Sequence, residues 1–380
     1  MTRTIIDVSI LQTVPPSNIN RDDTGSPKTA RYGGVRRARV SSQAWKRATR
    51  TAFNTAIDES KRGIRTKRVV ELIGERIQVR DASIDAPRAR ELANAALAAA
   101  GFKLTRPRKS NEENPLPEEA GYLLFLSSRQ LDRVAELCAA ANAGDGAGKP
   151  AFDKKVLREA LDSEHSIDIA LFGRMVAEAT DLNVDAACQV AHAISVHAVD
   201  TEYDWYTAVD DHKAGDDEED AGAGMIGTVE FTSSTLFRYA TVDVNALQRN
   251  LGDAEATQLA VIEFLRSFIT SMPSGKQNTF ANRTLPDAVV ISLRTTQSVN
   301  PVGAFEEAVA GSTRVKTASE KLARELLEID AAFGTTPEKT WVVRIGEATA
   351  ALDDLGERVT LDAAVSAAGD AVAARLTAEP

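Results

Sequence analysis

The sequence predicts an α+β fold: a modified ferredoxin-like, or RRM-like, core interrupted by a long helical insertion and carrying a projecting arm. Three observations predict it. Runs with a two-residue apolar period near both ends of the chain mark strands. Between about residues 61 and 169 the pattern becomes mostly helical. From 197 onward an acidic stretch starts with aromatics and ends in glycines, as a long hairpin would.

Taken in order, residues 4–11 read as a strand, with Ile6, Val8 and Ile10 alternating against Asp7 and Ser9. Residues 15–34 are rich in Pro, Asn, Asp and Gly and read as a loop, followed by a short segment at 35–40. Ser41 or Ser42 suits the N-cap of a helix running to about Ile57. Trp45, Ala48, Ala52 and Ala56 form its expected buried stripe, and Gln43, Lys46 and Arg50 share a different face. Helices are expected at 67–78 and 86–100, a short buried strand at 123–126, and a further helix at 184–194. In the arm, Tyr203, Trp205 and Thr207 alternate with Asp204, Tyr206 and Ala208, which predicts a strand, and 228–244 reads as its return. Helices at 253–271, 317–333 and 361–376 and strands at 288–293 and 341–345 complete the core.

The net charge of −10 hides a strong asymmetry. Residues 1–109 hold 23 Lys/Arg against 10 Asp/Glu, and residues 24–50 hold eight basic residues and no acid. Residues 199–220 hold ten acids and one lysine. Binding follows local potential rather than total charge, so the acid-free block points to a polyanion. Gly33 and Gly34 would let backbone approach a ligand closely. Ser41, Ser42 and the helix start offer donors to phosphate oxygens, and Lys46 and Arg50 add charge.

Catalytic and cofactor motifs fail on context. Gly222, Gly224 and Gly227 spell GxGxxG but lack the preceding strand and following helix of a dinucleotide site. The 144–150 run GDGAGKP lacks the first glycine and the hydroxyl of a P-loop. His165, His192, His197 and His212 have no metal-ligand spacing, and Cys138 and Cys188 give no metal framework. Asp22–Asp23 and Asp210–Asp211 suit Asx turns better than a cation site. No secretory signal or membrane-length apolar run is apparent, so the cytoplasm is expected.

The block NRDDTGSPKTARYGGVRRARVSSQAWKRATR at 20–50 closely resembles the N-terminal signature of the CasC family, the repeated backbone subunits of the type I-E CRISPR surveillance complex Cascade. The resemblance continues through DIALFGRM at 168–175, AHAISVHAVDTEYDWYTAVDD at 191–211, EFTSSTLFRYA at 230–240 and GKQNTFA at 275–281. It implies a palm of RRM-like topology at 1–55, 184–196 and 232–380, helical fingers at 56–183 and a thumb at 197–231. It implies copies stacked head to tail along the guide RNA beside other Cascade subunits. Each thumb would bend the RNA and turn one base outward, leaving the rest to pair with target DNA in antiviral defence. By matching motif, Arg21, Lys28, Ser41, Ser42, Gln43, Lys46, Arg47 and Arg50 would meet RNA backbone. Met175 would lie against bases, Trp205, Tyr206 and Thr207 would form the thumb wedge, and Lys276 and Gln277 would line the path. No cofactor, metal or catalysis is implied. The rival reading is a metal-dependent CRISPR-associated ribonuclease built on Asp22 and Asp23.

Affinity for single-stranded RNA is expected to fall steeply with salt, with a log–log slope of about −0.7 per phosphate contacted, and to depend little on base sequence. Titrations at several ionic strengths with RNAs of unrelated sequence check this. A flat salt response with strong sequence preference would contradict it.

Overall fold

The computed structural model describes residues 3–110, 116–145, 150–208 and 225–377. The fold is mixed α/β around a central sheet. The chain forms two compact units. The first comprises Met1–Ala52, Val190–Thr241 and Phe264–Arg375, and the second Phe53–Gln189, Val242–Glu263 and Leu376–Pro380. Residues 242–263 fall in the second unit.

The first unit is organised by the strand Ile5–Ser17, whose first eight residues are all buried. Ile5, Ile6, Val8, Ile10 and Leu11 are buried, and so are the Asp7 and Ser9 that alternate with them, because this strand is covered on both faces. It pairs antiparallel with Ala288–Arg294, from Ile5 opposite Arg294 to Leu11 opposite Ala288. That strand in turn pairs with Lys339–Arg344. On its other side lies Met225–Asp243, followed by Ala193–Ser195, Val35–Val40 and Thr29–Tyr32. Against the sheet pack Phe305, Ala318, Leu322 and Leu326, which place the helix Arg314–Phe333 on the core beside Leu11, Phe237 and Val290.

Two expectations change here. Residues 184–194 are not a helix but include the strands Cys188–Val190 and Ala193–Ser195. The second fills the gap between Met225–Asp243 and Val35–Val40, pairing Ile194 with both Phe237 and Arg39. Ladder bonding to distant residues overrides alanine's helix preference. The expected loop at 15–34 contains the strand Thr29–Tyr32, joined to Val35–Val40 by a tight Gly33–Gly34 turn with φ of +58° and +79°. A Cβ on Gly33 would fall 1.6 Å from the Glu306 carbonyl oxygen. Gly33 therefore approaches the protein's own backbone, not a ligand.

Charge is buried deliberately in this unit. Arg294 is 1% exposed and donates from Nε to Asp7 Oδ2 at 3.0 Å and from Nη1 to Asp330 Oδ1 at 2.6 Å. Asp7 also accepts from the Tyr239 hydroxyl at 2.8 Å and from the Val299 amide at 2.9 Å. Burial raises the Asp7 pKa, and these donors oppose the rise. Arg37, fully buried, donates to the carbonyls of Tyr32, Ser195, Phe305 and Glu306.

The second unit is mainly helical around Val70, Ile73, Ile77, Leu92, Leu97, Leu131 and Val134. Its helix Ala86–Ala100 starts at Asp85, whose carboxylate accepts the Arg88 amide, and stops at Gly101 with φ of 99°. Cys138 lies in this core, and burial pushes its thiol up to about 12.

Replacing Arg294 by Met leaves Asp7 and Asp330 without their cation. The loss expected for breaking a buried pair is about 3–5 kcal/mol, read by denaturant unfolding. A midpoint unchanged from the parent would show that the pair is not structural.

Candidate nucleic-acid interface

Residues 19–25 and 41–52 supply one wall of a cleft of about 1050 Å³ in the first unit. The wall begins with a turn at 20–28. The Asp22 carboxylate closes it, accepting the Thr24 hydroxyl at 2.7 Å and the amides of Thr24 at 2.9 Å and Ser26 at 3.0 Å. The Thr24 hydroxyl and these amides hold the Asp22 carboxyl below the usual carboxylate range. Asp22 is thus an Asx-turn former. Asn20 couples the turn to the next element: its carbonyl accepts the Lys28 amide at 2.9 Å and its side chain accepts the Ser41 amide at 2.8 Å.

The helix Ser42–Ala56 follows, capped by Ser41, whose hydroxyl accepts the Ala44 amide at 3.2 Å. The buried stripe is Trp45, Thr49, Phe53 and Ile57, at spacings of four, and not the expected Ala48, Ala52 and Ala56. Thr49 tolerates burial because its hydroxyl donates to the Trp45 carbonyl at 3.0 Å. This rotation changes which side chains meet the cleft. Gln43, Arg47, Ala48 and Thr51 line it. Lys46 and Arg50, expected to face outward as a free basic pair, are half-buried and outside the cleft lining.

The opposite wall is residues 271–277 with Asn282 and Arg283. Gly275 packs against the first wall so closely that a Cβ would fall 2.5 Å from the Ile19 carbonyl oxygen. Lys276 follows in the left-handed region, φ 51°, and starts the short helix Gln277–Phe280. Ser41, Gln43, Arg47, Arg21, Lys276 and Gln277 are therefore brought together, along with Arg283, which the sequence reading did not single out. The signal available was its position two residues beyond the GKQNTFA motif. Lys28 lies instead in a small neighbouring depression with Arg39. Burial, then Arg39 and Lys28, lower the pKa of His192 nearby.

The other expected contacts stand elsewhere. Met175, in the second unit, is 82% exposed, which rules out a core role. Trp205, Tyr206 and Thr207 lie on the strand Glu202–Ala208, paired with Thr228, Gly227 and Ile226 of Met225–Asp243. Trp205 is 66% exposed, so it does not pack the hairpin shut. The Tyr206 ring lies across Gly227, where a Cβ would come within 2.4 Å of its hydroxyl. Residues 209–224, with Asp210, Asp211, His212, Gly222 and Gly224, lie outside the described residues.

Chemically, the cleft presents Arg21, Arg47, Lys276 and Arg283 against Asp22 and Asp23, with neutral donors between them. Such a set of cations suits phosphate oxygens. Among the described residues no group of three or more side chains could hold a metal ion.

Comparison with known proteins fits this geometry. Residues 6–367 match the family described as CT1975-like protein. The chain belongs to that family. In a solved structure described as "CRISPR RNA-guided surveillance complex, pre-nicking", one chain shares 34% identity with it at a TM-score of 0.83, over 96% of this chain and 100% of that one. Another, from a "CRISPR RNA-guided surveillance complex", shares 29% identity at a TM-score of 0.71, over 96% and 99%. No curated protein matches.

For this CT1975-like chain, Arg21→Glu combined with Arg47→Glu, both exposed, is expected to keep stability within about 0.5 kcal/mol, as exposed charge changes do. RNA affinity at low salt is expected to fall by roughly tenfold or more, because each phosphate contact contributes to the salt-dependent term. Lys46→Glu with Arg50→Glu should weaken binding less. Filter binding on folded variants decides, and the reverse order would move the RNA path off this cleft.

Proposed function

We propose that the chain is a non-catalytic guide-RNA-binding backbone subunit of a CRISPR surveillance complex, of the type I-E CasC kind. The observation that carries this reading is the cleft that gathers Arg21, Arg47, Lys276 and Arg283 in a chain similar along its length to surveillance-complex subunits. In this reading an RRM-like palm at 1–55, 184–196 and 232–380 holds the RNA backbone, fingers at 56–183 carry Met175, and the thumb at 197–231 wedges the RNA with Trp205, Tyr206 and Thr207. Copies stack head to tail, a heterologous contact that extends rather than closes. The guide is kinked at regular intervals and presented to target DNA. The proposed place of action is the cytoplasm. Among the described residues no helix is long and apolar enough to cross a membrane. The part Asp22 plays in its turn weighs against the metal-dependent ribonuclease reading.

The test is co-expression with a CRISPR array and the partner subunits, followed by purification through this chain. One guide RNA of uniform length is expected to co-purify, and the pure chain with Mg²⁺ is expected to leave RNA intact. RNA of random length, or cleavage abolished by Asp23→Ala, would replace this reading with an RNA chaperone or a nuclease.

A further inference from the structure

Arg238, in the strand Met225–Asp243, is 1% exposed. Its guanidinium is clamped between the Trp45 ring, 3.7 Å from the centroid, and the Phe268 ring at 4.7 Å. Nη1 donates to Gln12 Oε1 at 2.6 Å and Nη2 to the Phe268 carbonyl, while Nε has no partner. Among the described residues no carboxylate lies within ion-pairing distance of it. Arg294, by contrast, is answered by Asp7 and Asp330. Burial pushes the Arg238 pKa down to about 9, so the group still carries its charge at pH 7.

An unanswered charge in the interior is costly, and an apolar side chain would fill the space between two aromatic rings more cheaply. The three groups that hold the guanidinium all lead straight into the cleft. Trp45 stands between Ala44 and Arg47, both in the lining. Phe268 sits one helical turn before Ser271, also in the lining. The Gln12 amide donates to the Thr284 carbonyl at 2.9 Å, one residue beyond Arg283. Residues close in sequence to all three holding groups thus line the cleft, and in protein of low dielectric the field of a buried charge reaches further than in water.

We propose that Arg238 is a buried positioning charge for the nucleic acid: it raises the positive potential of the cleft without touching RNA, and bound phosphates supply the negative charge the interior withholds. This rests on the cleft being the phosphate path of the proposed function. Because the charge is answered only when ligand is present, removing it separates two properties that a structural arginine would keep together. The free protein gains or keeps stability, and the RNA-binding protein loses affinity.

The experiment compares the parent with Arg238→Met, which keeps length and removes charge, and Arg238→Lys, which keeps charge and loses the forked bonds. Each is melted without ligand and titrated with single-stranded RNA of guide length at low and high salt. Arg238→Met is expected to melt at or above the parent and to bind roughly tenfold more weakly at low salt, as loss of one screened charge implies. Arg238→Lys is expected to bind within about threefold of the parent, the size of effect left when charge survives. The inference is overturned if Arg238→Met binds like the parent, if both variants lose affinity equally, or if neither folds, since the residue is then a structural hub. A parent that binds no RNA overturns the proposed function itself.

Discussion

A guanidinium cannot be left bare in a protein interior, and the first unit buries three of them, Arg37, Arg238 and Arg294. Arginine carries its charge at any working pH and needs donors satisfied in a plane. Each must therefore collect acceptors, and Arg37 and Arg294 do so in a way that fixes the segments supplying them. Arg37 gathers four backbone carbonyls and locks the Gly33–Gly34 hairpin to residues 305–306. Arg294 joins the first strand to the helix Arg314–Phe333 through Asp7 and Asp330. Arg238 ties Gln12, Trp45 and Phe268. Arg37 and Arg294 thus hold the segments they join, whereas Arg238 keeps an Nε without a partner and, among the described residues, has no carboxylate beside it.

Legibility from the sequence followed the range of the deciding interaction. The first strand over residues 5–11, the helix at 42–56 and the alternation around Trp205 depend on local pattern and are legible, whereas residues 15–17, expected as loop, extend that strand. The strand at 193–195 depends on partners at 236–237 and 39–40, and its alanine-rich surroundings spoke for a helix. The buried stripe of the capped helix was misread because Thr49 counts as polar until its hydroxyl has a carbonyl to bond. With Thr49 inside, Arg47 lines the cleft and Lys46 and Arg50 do not. Arg283 stayed hidden because only the close passage of Gly275 past Ile19 shows that residues 271–283 face the basic block.

The hairpin follows a different logic from the cleft. Its strands expose Tyr203, Trp205, Met225 and Ile226, large apolar groups that the described residues do not cover. Tyr203 and Trp205 project from the same face as Ile226 and Thr228, while Tyr206 closes over Gly227 on the other. The cleft is electrostatic and depends on salt. The hairpin is aromatic, and in the proposed function its contact would gain from desolvation, so the two contacts would respond oppositely to ionic strength.

The burial of both cysteines has a practical side. Cys138 and Cys188 are the chain's only thiols, and both are enclosed. A thiolate is the form that reacts with maleimides, and a thiol raised to about 12 yields almost none at neutral pH. The native protein is thus a quiet background for site-specific labelling. A single cysteine introduced on the hairpin would carry the one fluorophore in the molecule, and in the proposed function its energy transfer to a dye on a guide RNA would time the arrival of each copy.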